Sequence, residues 1–483
     1  MASPWKYPGL KCGLNSNLGA KMAMNKLILK LAMPVLMTGV LLSGVQVSVV
    51  NAAEVAADVI KTNDAKDAKD AKETKEIKVE RKTKRVPTLR SKVYDQLSRA
   101  QSLADAGKQA EAFDVLDNVK SKASSMNSYE QAMMYNFYAF IHYEAEHYDQ
   151  AIEAFENVVQ QQPIPETFEQ ATLFSLAQLH MMRGNYDKTI ANIEQWEVIQ
   201  RNLHPSKDIP AKNLVLKAQA MYQKQDFATA SDYINAAVLQ IETNDLGFQV
   251  DEQWYVLQRA VYFELKQPEN VKNVLLKLVK KFEAPKYWLQ LAGMYGELEQ
   301  EDKQLAIMEI AAQKSFVATG SDMFNLAQLY YYHQMPYKAA AVMQQAMDAG
   351  KLPEDERNLT FLAQSWNVAK ETQKAIPVML AAAKLSETGE LYAQLGQMYL
   401  NMDKWQQAIA SSQQAIEKGG LRNEGMSHLV IGMAQFNVGE YNEALNQLAK
   451  AQEYDGSRSM AKQWSKFVEG ERKQFATFAS VGS

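Results

Sequence analysis

Cysteine is all but missing from the 483 residues: Cys12 is the one example. A disulfide framework and a cysteine-built metal cluster are therefore excluded. Proline (13) and glycine (22) are sparse against abundant Ala, Leu, Gln, Glu, Lys and Met, a mixture that favours helix over sheet. The bulk of the chain also lacks a concentrated basic surface. Residues 93–483 carry 35 Lys/Arg against 48 Asp/Glu, so nucleic acid is not expected as a ligand. Signatures of chemistry are missing too, with no Gly-rich phosphate loop, no G-x-S-x-G elbow and no H-E-x-x-H. The six histidines (142, 147, 180, 204, 333 and 428) are scattered. His142 and His180 read as packing residues, and His142 and His147, five apart across a turn, are not expected to share a face. Acid clusters at Asp251-Glu252 and Glu354-Asp355-Glu356 read as helix starts, where the dipole favours carboxylates. No catalytic residue, metal site or cofactor is assigned, and the chain is not expected to be an enzyme.

What is present is a periodic helical pattern, clearest over residues 391–420, LYAQLGQMYLNMDKWQQAIASSQQAIEKGG. Leu391, Leu395 and Met398, with Tyr392 and Tyr399, form one apolar helical face. A polar break at 401–404 follows, then a second amphipathic run with Trp405, Ala408, Ile409, Ala415 and Ile416, stopped by Gly419 and Gly420. Small residues (Gly396, Ala408, Ala415) stand where two helices must approach closely. The order resembles the tetratricopeptide repeat, whose period is about 34 residues. Aligning on these small residues gives ten units starting near 93, 132, 170, 211, 251, 285, 320, 356, 389 and 425. The first and fifth are weak matches: Arg99 and Gln258 stand where Leu and Ala are expected, and Lys266-Gln267-Pro268 fills the fifth turn. The expected fold is all-α, a tetratricopeptide-like α-solenoid of about ten helix–turn–helix repeats over 93–459. Residues 460–483 read as a capping helix and tail, with Trp464, Phe467 and Phe475 on one side. A capped array is expected to be monomeric.

The first 92 residues read differently. Met24 begins a short basic start, and residues 31–50 are apolar but broken by Pro34, Gly39, Ser43 and Gly44. Small residues at Val50 and Ala52 offer a cleavage point, so 24–52 reads as a secretory signal peptide, or, uncleaved, as an anchor that holds the chain at a membrane. Residues 1–23 then become an extension upstream of the true start. Both readings put the body outside the cytoplasm. Residues 53–92 are a charged linker, with twelve Lys/Arg and six Asp/Glu between 61 and 92 and almost nothing to bury. Its basic run at 81–85 is a solubilising spacer or a contact to acidic headgroups.

In such a solenoid the first helix of each hairpin lines the inner surface. The residue after its small position is Gln in six units: Gln101, Gln178, Gln219, Gln328, Gln364 and Gln397. Four residues earlier stand Phe174, Tyr255 and Phe324. Three later stand Tyr143, Tyr222, Tyr262 and Tyr331. The expected partner-binding groove is thus an amide ladder interleaved with aromatics. Each amide is both donor and acceptor, and aromatics supply apolar area at binding hot spots. A peptide backbone and a glycan both suit it.

The layout of signal segment, Lys/Asp/Glu/Ala-rich spacer and uninterrupted repeats with LAQLH (176–180), LAQLY (326–330) and LGQMY (395–399) cores resembles a group of periplasmic proteins. These are the tetratricopeptide proteins that accompany TonB–ExbB–ExbD-type energy-transduction systems. The resemblance implies a non-catalytic, periplasmic interaction scaffold that contacts TonB, ExbB or ExbD in TonB-dependent uptake. The alternative is a periplasmic adaptor or chaperone for assembly of outer-membrane or secreted components.

Overall fold

The computed structural model describes residues 86–243 and 249–481. The expectations placed on 1–23, 24–52 and most of 53–92 lie outside these residues. Among the described residues there are 21 α-helices, one short 3-10 turn and no strand. The chain is an all-α, tetratricopeptide-like α-solenoid built of ten helical hairpins and a final long helix.

The contacts divide the chain into two compact units, one ending at Phe282 and one starting at Glu283. The first holds five hairpins: α1 (Ser91–Asp105) with α2 (Gln109–Lys120), α3 (Ser128–Glu144) with α4 (Tyr148–Gln160), α5 (Glu166–Met182) with α6 (Tyr186–Leu203), α7 (Ala211–Gln223) with α8 (Phe227–Glu242), and α9 (Glu252–Glu264) with α10 (Pro268–Lys281). The second holds five more: α11 (Pro285–Glu297) with α12 (Glu301–Gln313), α13 (Gly320–Tyr332) with α14 (Pro336–Asp348), α15 (Glu356–Val368) with α16 (Thr372–Leu385), α17 (Glu390–Leu400) with α18 (Trp405–Lys418), and α19 (Glu424–Asn437) with α20 (Tyr441–Gln452). The last helix, α21 (Asp455–Val481), packs on α19 and α20.

One turn closes every hairpin. The residue two past the end of the first helix, three past in the α17–α18 hairpin, takes a left-handed conformation. It is Gly107, Gly184 or Gly439 in three hairpins, and Glu146, Gln225, Lys266, Glu299, Gln334, Lys370 or Asp403 in the others. The next N–H donates back five residues, as from Met335 to the Tyr330 carbonyl at 2.8 Å and from Glu371 to Trp366 at 2.9 Å. This is the Schellman closure, which satisfies carbonyls left over at a helix end. It explains why the turn tolerates polar residues of many kinds, although a left-handed residue with a side chain costs about 1–2 kcal/mol.

Behind the turns the helices touch at the small positions. Ala100, Ala139, Ala177, Ala218, Ala327 and Ala363 are fully buried. A methyl group on Gly396 would collide with Ser412, and one on Gly432 would stand 2.9 Å from Leu448 Cγ. The second helices supply Ala151, Ala230, Ala339, Ala375, Ala408 and Ala444 at zero exposure. Leu, Phe and Met between them fill the layers, each buried large side chain contributing about 1.5–3 kcal/mol. The weak fifth repeat is accommodated differently. Gln258, in place of an alanine, buries its amide and donates to Asn235 Oδ1 of α8 at 2.8 Å.

The acid clusters serve as helix starts. Asp251 accepts from the Gln253 N–H, and Asp355 from the Asn358 N–H, both at 2.8 Å. The histidine pair differs from expectation. The His142 and His147 rings lie 6.0 Å apart, because the turn folds His147 back so that its N–H donates to the His142 carbonyl. His142 also packs 4.6 Å from Phe113, and burial followed by the neighbouring His147 holds its pKa low. The final helix starts at Asp455, earlier than expected. It buries Ala461 and Val468 and leaves Phe467 half exposed, while the Phe475 side chain lies outside the described residues.

Candidate functional site

The inner-face positions take two forms. In the first unit Gln219, Tyr222 and Tyr255 are absorbed into the interior, while Gln101, Tyr143, Phe174, Gln178 and Tyr262 are half-buried. Gln219 is 6% exposed, Tyr222 8% and Tyr255 not at all. These three were expected in an open groove, and the structure places them in the core instead. The reason is the position of α7, packed by α6, α8 and α9, so that nearly every residue from Val215 to Ala220 is covered. Burial pushes the Tyr222 phenol up to about 12. The Tyr255 hydroxyl donates to Glu242 at 2.6 Å, and Tyr262, half-buried, donates to Asn235 at 2.9 Å. The same region encloses an ion pair, Lys217 to Glu197 at 3.2 Å, with Lys217 Nζ 4.5 Å from the Tyr233 ring centre. Gln178 and Phe174 are half-buried, and Lys212 lies 4.8 Å over the Phe174 ring.

In the second unit Phe324 is buried in the core, while Tyr331 and the three glutamines keep part of their surface. Gln328, Gln364 and Gln397 are each half-buried. Around the first two stands an aromatic cluster: Phe361 lies 5.4 Å from Phe324 and 5.5 Å from Tyr331. The Arg357 guanidinium stacks 4.7 Å over Phe324. Arg357, Thr360, Phe361 and Gln364 lie on one stripe of α15 and, with Glu356, line an open hollow of about 380 Å³. A second hollow, of about 240 Å³, lies between α17 and α19. It is walled by Glu390, Ala393, Gln394 and Gln397 on one side and by Met426, Ser427 and Val430 on the other. Gln397 Nε2 donates to Asn401 Oδ1 at 3.1 Å.

The structure therefore gathers Phe324, Gln328, Tyr331 and Gln364 around one aromatic cluster and sets Gln397 in a neighbouring hollow of the same unit. Sequence reasoning missed Phe361 and Gln394. Both sit three residues before a predicted Gln, on the same helical stripe, and a search at four residues before passes over them. Chemically this face offers neutral donors and acceptors beside aromatic surface. Among the described residues no group of three or more His, Cys, Asp or Glu is placed to hold a metal.

No family model matches the chain, and no curated protein matches it. Solved structures that resemble it include YrrB, described as a TPR protein with an unusual peptide-binding site. It shares 16% identity, covers 40% of this chain and 97% of its own, and has a TM-score of 0.33. The C-terminal part of a TPR repeat-containing protein from Cytophaga hutchinsonii shares 14%, covers 60% and 95%, and scores 0.35. The TPR2AB domain of yeast Sti1, solved as a pHSP90 complex, shares 17%, covers 62% and 98%, and scores 0.27. With scores below 0.5 these proteins inform neither the site nor the partner.

Proposed function

We propose that this protein is an exported, non-catalytic interaction scaffold that holds an extended segment of a protein partner on the inner face of its second unit. One observation carries the reading. Three half-buried glutamines, an aromatic cluster and two hollows lie on the first helices of successive hairpins, α13, α15, α17 and α19. Half-buried amides hydrogen-bond a peptide backbone whatever its side chains, and Phe361 and Tyr331 supply the apolar area that concentrates binding energy. The cellular setting of the proposal is the periplasm, as an accessory of a TonB-dependent uptake system. Its support is the layout of the sequence, a signal-like segment and charged spacer ahead of the repeats.

In-cell crosslinking from a photo-reactive residue in place of Gln328, with mass spectrometry of the adducts, tests both parts. Adducts confined to TonB, ExbB, ExbD or an outer-membrane transporter are expected. A spread of nascent outer-membrane proteins would replace the uptake role with an envelope-assembly adaptor. Adducts with cytoplasmic proteins alone would end the export reading.

A further inference from the structure

The 240 Å³ hollow between α17 and α19 has a more specific chemistry than the rest of the face. Its volume is below the range of about 300–1,000 Å³ that houses small-molecule ligands, and it suits a single side chain. Its charges cancel at the rim. The Arg422 backbone N–H donates to Glu390 Oε1 at 2.5 Å, and the guanidinium Nε stands 3.5 Å from the same oxygen. A ligand entering here meets no net charge to neutralise its own.

The remaining polar groups are neutral. Gln397 has its amide donor engaged by Asn401, which leaves its carbonyl oxygen to accept. Gln394, half-buried on the same helical stripe, makes no side-chain hydrogen bond within the chain and offers both a donor and an acceptor. The wall behind them is closed: Ser427 is 2% exposed, and its hydroxyl and Asn423 Oδ1 are buried out of reach of a ligand.

We infer that the hollow is a subsite for a carboxamide side chain, Asn or Gln, of the bound segment. A carboxamide makes the reciprocal donor–acceptor pair with Gln394 while donating its second N–H to Gln397 Oε1. A carboxylate has no donor for Gln397. An ammonium has no acceptor for Gln394 and no counter-charge, since Glu390 is taken by Arg422. A methionine fills the volume and leaves the amides unpaired. This inference rests on the second unit's inner face being a peptide groove and adds the residue that the groove selects.

The test uses the full chain and four fluorescein-labelled nine-residue peptides, Gly-Ser-Ala-Ala-X-Ala-Ala-Ser-Gly, with X as Gln, Met, Glu or Lys. Affinity is read by anisotropy. Location is read by photo-crosslinking from a benzophenone side chain placed at Gln364, outside the hollow. The Gln peptide should bind about fivefold more tightly than the Met peptide, one net hydrogen bond's worth. Gln394→Leu should reduce that preference to about twofold or less, the Gln397 bond remaining, while leaving the Met peptide bound and the thermal melt in place. Gln394→Glu, which keeps the acceptors and adds charge, should shift preference towards Lys. Binding of all four peptides with equal affinity, crosslinked at residue 364, would overturn the carboxamide subsite and leave the groove standing. Binding of none would overturn the groove as well.

Discussion

The two units are built from the same hairpin, yet α7 and α9 of the first bury Gln219, Tyr222 and Tyr255 at positions where α13, α15 and α17 of the second leave Gln328, Tyr331, Gln364 and Gln397 half-buried. In the first, the amides and phenols turn to each other: Gln258 and Tyr262 share Asn235, Tyr255 bonds Glu242, and Lys217 is sealed against Glu197. In the second, Gln328 and Gln364 remain half-buried near the Phe361 cluster, and Gln397 remains half-buried in the neighbouring hollow. A repeat pattern thus specifies where a residue stands in its hairpin. Whether that residue is structural or available depends on how closely the neighbouring helices cover it, as α6, α8 and α9 cover α7.

The sharpest way to break this contrast is to attack the interior of the first unit. Lys217→Ala leaves Glu197 buried with only the outward Arg201, 3.0 Å away, to pair it. A loss of about 3 kcal/mol is expected in the stability of the first unit. It should appear as fast hydrogen exchange in α5–α9, with exchange in α13–α17 unchanged. Equal loosening of both would show that the units are not separate in stability.

The complementary change falls on the second unit. Phe361→Ala removes the ring shared by Phe324 and Tyr331. Partner affinity, measured by calorimetry with the partner captured at residue 328, should fall about tenfold. The same truncation at Tyr262, held by Asn235, should leave affinity unchanged.

A pH dependence should mark the first unit. Glu130 is buried and accepts from Arg90 Nε at 2.6 Å and from the Asn127 N–H at 3.0 Å. Burial opposes its ionisation, but the Arg90 and Asn127 bonds prevail and hold its pKa below the usual carboxylate value. Its contribution is therefore complete above about pH 4.3 and is lost as pH falls through the lower folded-state value. Melting curves between pH 5 and 2 should show an acid-labile step in α1–α3 that Glu130→Gln removes.

The smallest effect concerns the turns. Lys370→Gly relieves a left-handed side chain and should raise stability of the second unit by about 0.5–1 kcal/mol. Gly439→Ala, at the equivalent turn, should lower it by a similar amount, and thermal melts of both variants check the sign.

Much of this was legible in the residues. The small positions named the helix contacts, and the ten hairpins begin within four residues of the starts read from the pattern. Asp251 and Asp355 announced helix starts. Coverage was not legible, because it depends on how closely neighbouring helices pack over each position. Gln219 and Gln364 occupy the same register position, and nothing local distinguishes them. Nor do the spacings reveal that the turn sets His147 against His142, since a left-handed residue reverses the chain between them.

The central claim is that partners bind the second unit's inner face. Hydrogen exchange of the full chain, with and without the partner captured at residue 328, tests it most directly. Protection on binding is predicted in α13, α15 and α17 and around the linker at residues 421–423, with α5–α9 unchanged. Protection confined to α5–α9 would contradict the account.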